Sequence, residues 1–164
     1  MDIRPASADD AAVILELRHA AEDWLLEREI DQWRPREVPL AAIEQQVADG
    51  EFFVVSSAAS NTTVGALRLL WSDPEFWGDD DGRAAYVHGL VIDRRFAGRG
   101  LGRDMLTWAE HRARDAGAAV LRLDCAATNL ALRRYYVNFG FTEVGERHFE
   151  QFSVTLLEKP VGLG

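Results

Sequence analysis

The residues with the plainest chemical potential lie between Leu90 and Arg103, which read Leu-Val-Ile-Asp-Arg-Arg-Phe-Ala-Gly-Arg-Gly-Leu-Gly-Arg. Gly98, Gly100 and Gly102 alternate with other residues, and Arg94, Arg95, Arg99 and Arg103 surround them. Glycines this close let backbone N–H groups approach an anion without interference from Cβ atoms, and a helix opening directly after them adds a partial positive charge. The spacing suits a phosphate. The chain as a whole carries a formal net charge of -9, with acidic residues spread along it and a short run at Asp79-Asp80-Asp81. A basic cluster on that background points to one confined anionic ligand and disfavours a broad nucleic-acid surface. No Gly-Lys-Ser/Thr follows the glycines, so the magnesium-binding hydroxyl of a nucleotide-hydrolysing P-loop is absent.

The elements that must position this loop follow from periodicity. Leu90 to Ile92 end a strand predicted over Ala84 to Ile92, and Leu101, Met105, Trp108, Ala109 and Ala113 give the helical spacing of a helix over Gly100 to Ala116. Gly117 suits the left-handed C-terminal position, and Ala118 to Cys125 reads as the next strand, completing a strand-helix-strand crossover. Upstream, Asp2 to Pro5 is a first strand, and Ser7 with Asp10 resembles a capping box. Val13, Leu17, Ala20, Ala21 and Trp24 form one face of a first helix. Pro35 and Pro39 break the charged stretch before a second helix over Leu40 to Ala48, which Gly50 stops. Glu51 to Ser57 and Thr62 to Trp71 read as an antiparallel hairpin whose second strand is covered on both faces. Ser72 to Arg83 is a loop and a candidate substrate lid. Asn129 is an N-cap for a helix through Asn138 closed by Gly140, and Phe141 to Thr155 supplies a strand pair broken near Glu150. The predicted fold is α/β (α+β), a single mixed, mostly antiparallel sheet flanked by helices.

With 164 residues, 48% of them hydrophobic, the chain has the apolar surface for one domain over 1–164. No apolar run approaches a membrane span, and the opening Met-Asp-Ile-Arg-Pro lacks the pattern of a signal peptide. The single cysteine, Cys125, excludes an intramolecular disulfide framework, a CxxC redox pair and a Cys-rich zinc site. A cytoplasmic address is expected, without a nucleic-acid or membrane partner.

Leu90-Val-Ile followed by Ala97-Gly-Arg-Gly-Leu-Gly resembles the acyl-CoA signature of the GNAT N-acetyltransferases, and the element order is similar too. In that family an Arg/Gln-x-x-Gly-x-Gly/Ala loop caps the helix that receives the CoA pyrophosphate. Gly100 and Gly102 fill its glycine positions here, while Ala97 stands where the family has Arg or Gln. The amide cradle needs only small residues and free N–H groups, and Arg99 or Arg103 can supply charge. Asn129-Leu-Ala-Leu-Arg-Arg-Tyr-Tyr-Val-Asn-Phe-Gly-Phe141 is similar to a second family pattern. Together the motifs cover Ala84 to Phe141. The resemblance implies acetyl-CoA as co-substrate, no metal, and contacts from Leu90, Val91, Ile92, Ala97, Gly98, Arg99, Gly100, Leu101, Gly102, Arg103, Asn129 and Tyr136.

The implied reaction is acetyl transfer to an amine by direct attack, and each step makes a demand. A lysine-like ammonium has a pKa near ~10.4, so a base must help form the nucleophile at neutral pH. On the strand Ala84 to Ile92, alternation puts Tyr86, His88, Leu90 and Ile92 on one face; Tyr86 stands where some members place a catalytic carboxylate. His88 is then the nearest base candidate, with Asp124 on the neighbouring strand as competitor. His88 also reads as a hydrogen-bonded structural histidine. By the resemblance a backbone N–H of Val91 or Ile92 serves the developing oxyanion, and Tyr136 protonates the departing thiolate. Cys125 reads as buried in its strand rather than as a nucleophile.

The family places the acceptor between the first two helices and the loops, where Trp24, Trp33, Trp71 and Trp77, with Phe76, are the aromatic candidates. Beside Glu22, Asp23, Glu27, Glu29 and Asp31 they could wall a slot for an ammonium group. Core tryptophans beside a solvated acidic face are the equal alternative. The partner is then a small-molecule or peptide amine, and a homodimer is admitted as the assembly. The rival function is a non-catalytic acyl-CoA-binding or regulatory domain, which Ala97 supports and Tyr136 opposes.

Overall fold

The computed structural model describes residues 1–79 and 82–162, so Asp80 and Asp81 of the acidic run, which fall in the predicted lid, lie outside the described residues. The strands are β1 (Asp2–Pro5), β2 (Phe52–Ser56), β3 (Thr63–Leu70), β4 (Ala84–Ile92), β5 (Val120–Ala126), β6 (Thr142–His148) and β7 (Ser153–Pro160). The helices are α1 (Ala11–Glu27), α2 (Leu40–Ala48), a single turn α3 (Pro74–Trp77), α4 (Leu101–Asp115) and α5 (Leu130–Phe139). Strand order in the seven-stranded sheet is β1-β2-β3-β4-β5-β7-β6. β4 and β5 run parallel, whereas β1–β2, β2–β3, β5–β7 and β6–β7 run antiparallel, which is the mostly antiparallel mixed sheet expected.

The chain forms two compact units. The first comprises Met1–Glu29, Trp33–Leu69 and Gly89–Gly102. Its core joins Ala11, Ile14 and Leu17 of α1, Ile43 and Val47 of α2, Phe52 and Val54 of β2, Ala66 of β3 and Val91 of β4. The predicted inner face of α1 needs correction: Ala20 is exposed, while Ile14, Leu25 and Glu22 are buried. Glu22 confuses the apolar pattern because its burial is compensated. Arg18 Nε donates to its carboxylate at 2.8 Å, and the Arg36 backbone N–H does so at 2.8 Å. The helix therefore turns a charge inward that periodicity assigns to solvent.

The second unit comprises Ile30–Gln32, Leu70–His88 and the chain from Arg103 onward. β5 alternates, with Leu121, Leu123 and Cys125 buried, and pairs with β7 from Val120↔Pro160 to Ala126↔Val154. Met105, Ala109 and Ala113 of α4 are fully buried, as their spacing predicts, while Leu101 and Trp108 of the same predicted face are half-buried and Leu106, outside it, is buried. Gly117 (φ 85) ends α4 in the left-handed region, as the sequence suggests. The last strand runs to Pro160, beyond the predicted limit at Thr155, because its alternation continues through Leu157. The turn α3 is a further addition: Pro74 opens it with a preset φ, which the Asp-Gly-Pro composition of the segment masked.

Candidate active site

In the first unit, β4 leads into a loop whose backbone does the shaping. The Asp93 N–H donates to the Val64 carbonyl at 2.8 Å, and its carboxylate accepts from the Arg95 backbone N–H at 2.9 Å and the Arg95 guanidinium at 2.7 Å. A short 3-10 turn over Arg94–Phe96 follows, then Ala97 in extended conformation. Gly98 (φ 76) and Gly100 (φ 80) both occupy the left-handed region, immediately before α4 begins at Leu101. A Cβ built on either would meet nothing within 4 Å, so conformation rather than crowding demands glycine, and the space above the loop is open. Left-handed residues alternating with Arg99 at the positive end of a 15-residue helix are the backbone pattern that can offer successive N–H groups to an anion. The loop fits a phosphate ester without needing a side chain at Ala97. Gly102 lies buried inside the first turn of α4.

Of the surrounding arginines, Arg94 stacks on Trp24 (3.8 Å to the ring centroid) and Arg95 is tied to Asp93. Arg99 is exposed and sits over Phe96; in the second unit, Arg103 is exposed and sits over Phe139. Leu90 and Ile92 are half-buried, while Val91 is buried in the unit's core, so its backbone is what it can present. Gly89 takes φ 58, interrupting the extended run of β4 directly after His88. The period-two alternation read from Tyr86 to Ile92 therefore holds only on either side of Gly89.

The second unit brings His88 and Asp124 close and adds a residue the sequence did not single out. His88 Nε2 lies 2.6 Å from Oδ2 of Asp73, and His88 Nδ1 lies 3.9 Å from Oδ2 of Asp124. That Asp124 oxygen is buried and has no hydrogen-bond partner among the described residues. Burial pushes the Asp124 carboxyl up to about 6; His88 opposes the rise, and the charges of Asp73 and Glu75 add to it. Phe76 of α3 covers one side of the imidazole (centroids 5.6 Å apart) and meets Phe149 edge-on at 5.3 Å.

Asp73, His88 and Asp124 also form a group of potential metal ligands, with ligand atoms within 4.8 Å of one another. Two ligands of a tetrahedral zinc, each about 2.0–2.2 Å from the ion, sit roughly 3.3 Å or more apart. The 2.6 Å His88–Asp73 contact is a hydrogen bond occupying both atoms, so the group is arranged to share protons rather than to cage an ion.

The remaining sequence candidates divide cleanly. Tyr136 is buried, its ring edge-on to Phe141 at 5.8 Å; burial, with the charges of Cys125 and Asp124, pushes its phenol above the usual range. It stays protonated at neutral pH and can donate. Burial lifts the Cys125 thiol to about 12, which leaves it un-ionised and inert as a nucleophile. Asn129 caps α5 by accepting from the Leu132 N–H at 3.2 Å, and its amide donates to Gln32 at 3.2 Å. Gln32 also receives the Ala126 N–H at 3.1 Å, joining α5 to the end of β5; sequence reading missed it in a segment of mixed charge. Tyr86 is fully buried, its hydroxyl accepting from Arg122, which in turn pairs with Glu158 at 2.8 Å.

Trp77 lies under the Arg122 guanidinium (4.7 Å), its indole N–H buried without a partner among the described residues, and Trp71 is exposed. In the first unit Trp24 lies between Arg28 and Arg94, and Trp33 lies under Arg18 and against the core. Glu22, offered as part of an acidic slot, is instead bound to Arg18 and Arg36.

Comparison with known proteins identifies the family. Residues 18–141 match the model of the acetyltransferase (GNAT) family. The chain is 33% identical over 146 residues to the uncharacterized N-acetyltransferase YesJ of Bacillus subtilis (strain 168), spanning 86% of this chain and 81% of that protein. It is 26% identical over 142 residues, 86% of each chain, to an aminoglycoside N(6')-acetyltransferase type 1 of Stenotrophomonas maltophilia. Among solved structures, a GNAT-family acetyltransferase of Listeria monocytogenes superposes with a TM-score of 0.80 at 27% identity, covering 97% of this chain and 94% of that one. The yncA protein of Salmonella typhimurium, solved with acetyl-CoA, superposes with a TM-score of 0.70 at 21% identity, covering 100% and 95%. Among the described residues no helix is long and apolar enough to cross a membrane. The chain belongs to the GNAT family of acetyltransferases, enzymes whose acetyl donor is acetyl-CoA.

Proposed function

We propose that the chain acetylates a primary amine of a small molecule or peptide, with the glycine loop as the acyl-CoA seat and the His88–Asp124 pair as the proton acceptor. The observation that carries the reading is the unpartnered, buried Asp124 oxygen 3.9 Å from His88 Nδ1. Two acceptors so placed, the Asp124 oxygen without a donor among the described residues, suit a substrate that brings N–H groups.

Acetyl-CoA supplies an activated thioester; the chain's own residues hold it and move protons. Backbone N–H groups from Gly98 to Gly102 hold the pyrophosphate, with Arg99 and Arg103 adding charge and Leu90 and Ile92 facing the pantetheine arm. Ala97 leaves affinity to the backbone, and Asn129 adds a contact beside its capping bond. A backbone N–H of Val91 or Ile92 stabilises the developing oxygen charge. The acceptor ammonium gives one proton to the His88–Asp124 pair, its nitrogen bonds to the acetyl carbon, the carbon–sulfur bond breaks as Tyr136 Oη donates to the departing sulfur, and the second proton shed by the new amide nitrogen restores the Tyr136 phenol through solvent. Trp77 and Phe76 wall the acceptor, and Trp71 extends that wall.

We take residues 1–164 as one working acetyltransferase domain, since the matched region 18–141 draws on both units. A cytoplasmic setting fits the single buried thiol, and the charge of -9 speaks against nucleic acid and anionic membrane as partners. A second copy has an edge to add to at β6, whose residues are exposed at the end of the strand order.

The test is a panel of polyamines, amino acids, aminoglycosides and peptide N-termini incubated with acetyl-CoA, with release of free CoA thiol as readout. The Stenotrophomonas relative makes aminoglycosides the first arm. Turnover of at least one amine is expected, and His88→Ala should lower its kcat by about 10²-fold or more. Retention of wild-type kcat by His88→Ala removes the imidazole from the reaction.

A further inference from the structure

Asp73 occupies the position immediately before α3, with Pro74 behind it. An aspartate there ordinarily accepts a hydrogen bond from the N–H groups of the first helical turn, yet Asp73 makes no such bond. Its side chain is instead buried, the residue 7% exposed, and directed at His88 with an oxygen 2.6 Å from Nε2. The carboxylate has given up the local role its position offers.

We propose that Asp73 is a positioning residue for the acetyl transfer: it fixes the His88 ring as the Nε2–H tautomer, leaving the Nδ1 lone pair toward Asp124 and making the gap between Nδ1 and Asp124 Oδ2 the seat of the acceptor nitrogen. An ionised carboxylate can only accept, so the ring nitrogen bound to it must carry the hydrogen, and in a neutral imidazole the other nitrogen is then the acceptor. At 3.9 Å, Nδ1 and the Asp124 oxygen are too far apart to bond each other. One ammonium nitrogen about 2.8 Å from each can donate to both. Phe76 closes one side of the ring, which limits its rotation.

The proton balance is simple. The ammonium transfers one proton to Nδ1, its nitrogen turning the freed electron pair to the acetyl carbon, and the imidazolium so formed is held by its hydrogen bond to the Asp73 carboxylate. The titratable groups whose charges act on Asp124 are His88 of β4 and Asp73 and Glu75 of the α3 segment, and Asp124 in turn acts on Cys125 of β5 and Tyr136 of α5. In serine-protease triads the analogous carboxylate-to-amide exchange keeps the geometry but presents the wrong tautomer.

This inference rests on the proposed role of His88, and the experiment separates the two. Two-bond nitrogen–proton correlation on the full chain with 15N-labelled histidine reads the tautomer without turnover, with the His88 signal assigned by its loss in His88→Gln. Wild type is expected in the Nε2–H form, and Asp73→Asn should lose that exclusive form. With the best amine of the panel, Asp73→Asn should lower kcat about 100-fold while leaving KM for acetyl-CoA within about 3-fold. An Nδ1–H ring in the wild type overturns the proposal, as does an Asp73→Asn enzyme with kcat within about 3-fold of wild type. If His88→Ala also keeps its kcat, the failure lies in the base assignment; if His88→Ala loses kcat while Asp73→Asn keeps it, only the positioning role fails.

Discussion

The loop from Asp93 to Gly102 and the side chains proposed to move protons, Asp73, His88 and Asp124 together with Tyr136, are built from different material. In the loop, two left-handed glycines and a helix N-terminus give the proposed phosphate seat its N–H groups, which every residue but proline possesses. In the second group the chemistry belongs to side chains from four separate places: the segment before α3, strand β4, strand β5 and helix α5. A backbone site tolerates exchange of its side chains, as Ala97 illustrates, but not a change of its dihedrals. A side-chain site has the opposite sensitivity. Substitutions in the first region are thus expected in KM for acetyl-CoA, and those in the second in kcat.

Asp124→Asn tests that split most severely. The variant should lose about 10²-fold or more in kcat with acetyl-CoA KM nearly unchanged; a change confined to KM would erase the distinction. The raised carboxyl gives the sign of the pH dependence. The ionised form of Asp124 disappears as pH falls through about 6, so kcat/KM of the wild type should decline on the acid side there. Stability runs the other way. Because the folded-state value lies above the unfolded one, the buried charge destabilises the wild type at pH 8, by at most roughly 3 kcal/mol, and not below about pH 4. Thermal melts at the two pH values should favour Asp124→Asn more at pH 8.

Gly100→Val probes the other region. At φ 80 a β-branched residue is strained by roughly 1–2 kcal/mol although nothing crowds its Cβ, so the loop must reshape. KM for acetyl-CoA should rise by about 10- to 30-fold, with kcat at saturation within about 3-fold. Unchanged KM would remove the loop from pyrophosphate binding.

The same contrast explains what could be read from the sequence. The glycine loop was legible because alternating glycines before a helical pattern carry their mechanism in one contiguous stretch. The strand-helix-strand unit and both hairpins were legible for the same local reason. Asp73 was not, because its partner is 15 residues away and its own neighbourhood reads as turn chemistry. His88 and Asp124 were candidates by register, and only the fold shows that an Asp124 oxygen lies unpartnered beside the imidazole. Gly89 marks the limit of periodicity: a single left-handed residue interrupts an alternation that the sequence continues to Ile92. Burial of Glu22 is the matching limit in the first unit, since Arg36, 14 residues away, joins Arg18 of the same helix in compensating it.

Tyr136→Phe is a milder change, since water can replace a lost proton donor but not a lost base. It should lower kcat by about 10-fold with acetyl-CoA KM within about 3-fold, measured by thiol release at saturating donor. Turnover equal to wild type would return Tyr136 to the core, where its contact with Phe141 already places it.

The smallest effect expected separates architecture from chemistry within the first unit. Asp10 accepts from the Ser7 N–H at 2.7 Å and from Arg4 at 2.7 Å, fastening the entry to α1 to β1. Foremost through the hydrogen bonds from Arg4, its carboxyl is held down at about 2. A depressed folded-state value stabilises the protein fully above the unfolded value of about 3.9, and that stabilisation is lost as pH falls toward 2. Because Arg4 is half exposed and screened, the contribution is about 1 kcal/mol rather than the full linkage value. Asp10→Ala should therefore lower Tm by a few degrees at pH 7 and hardly at all near pH 2, with kcat and both KM values unchanged. A fall in kcat would mean that the packing of the first unit governs the proton-handling cluster, and the division of labour between backbone and side-chain chemistry would have to be redrawn.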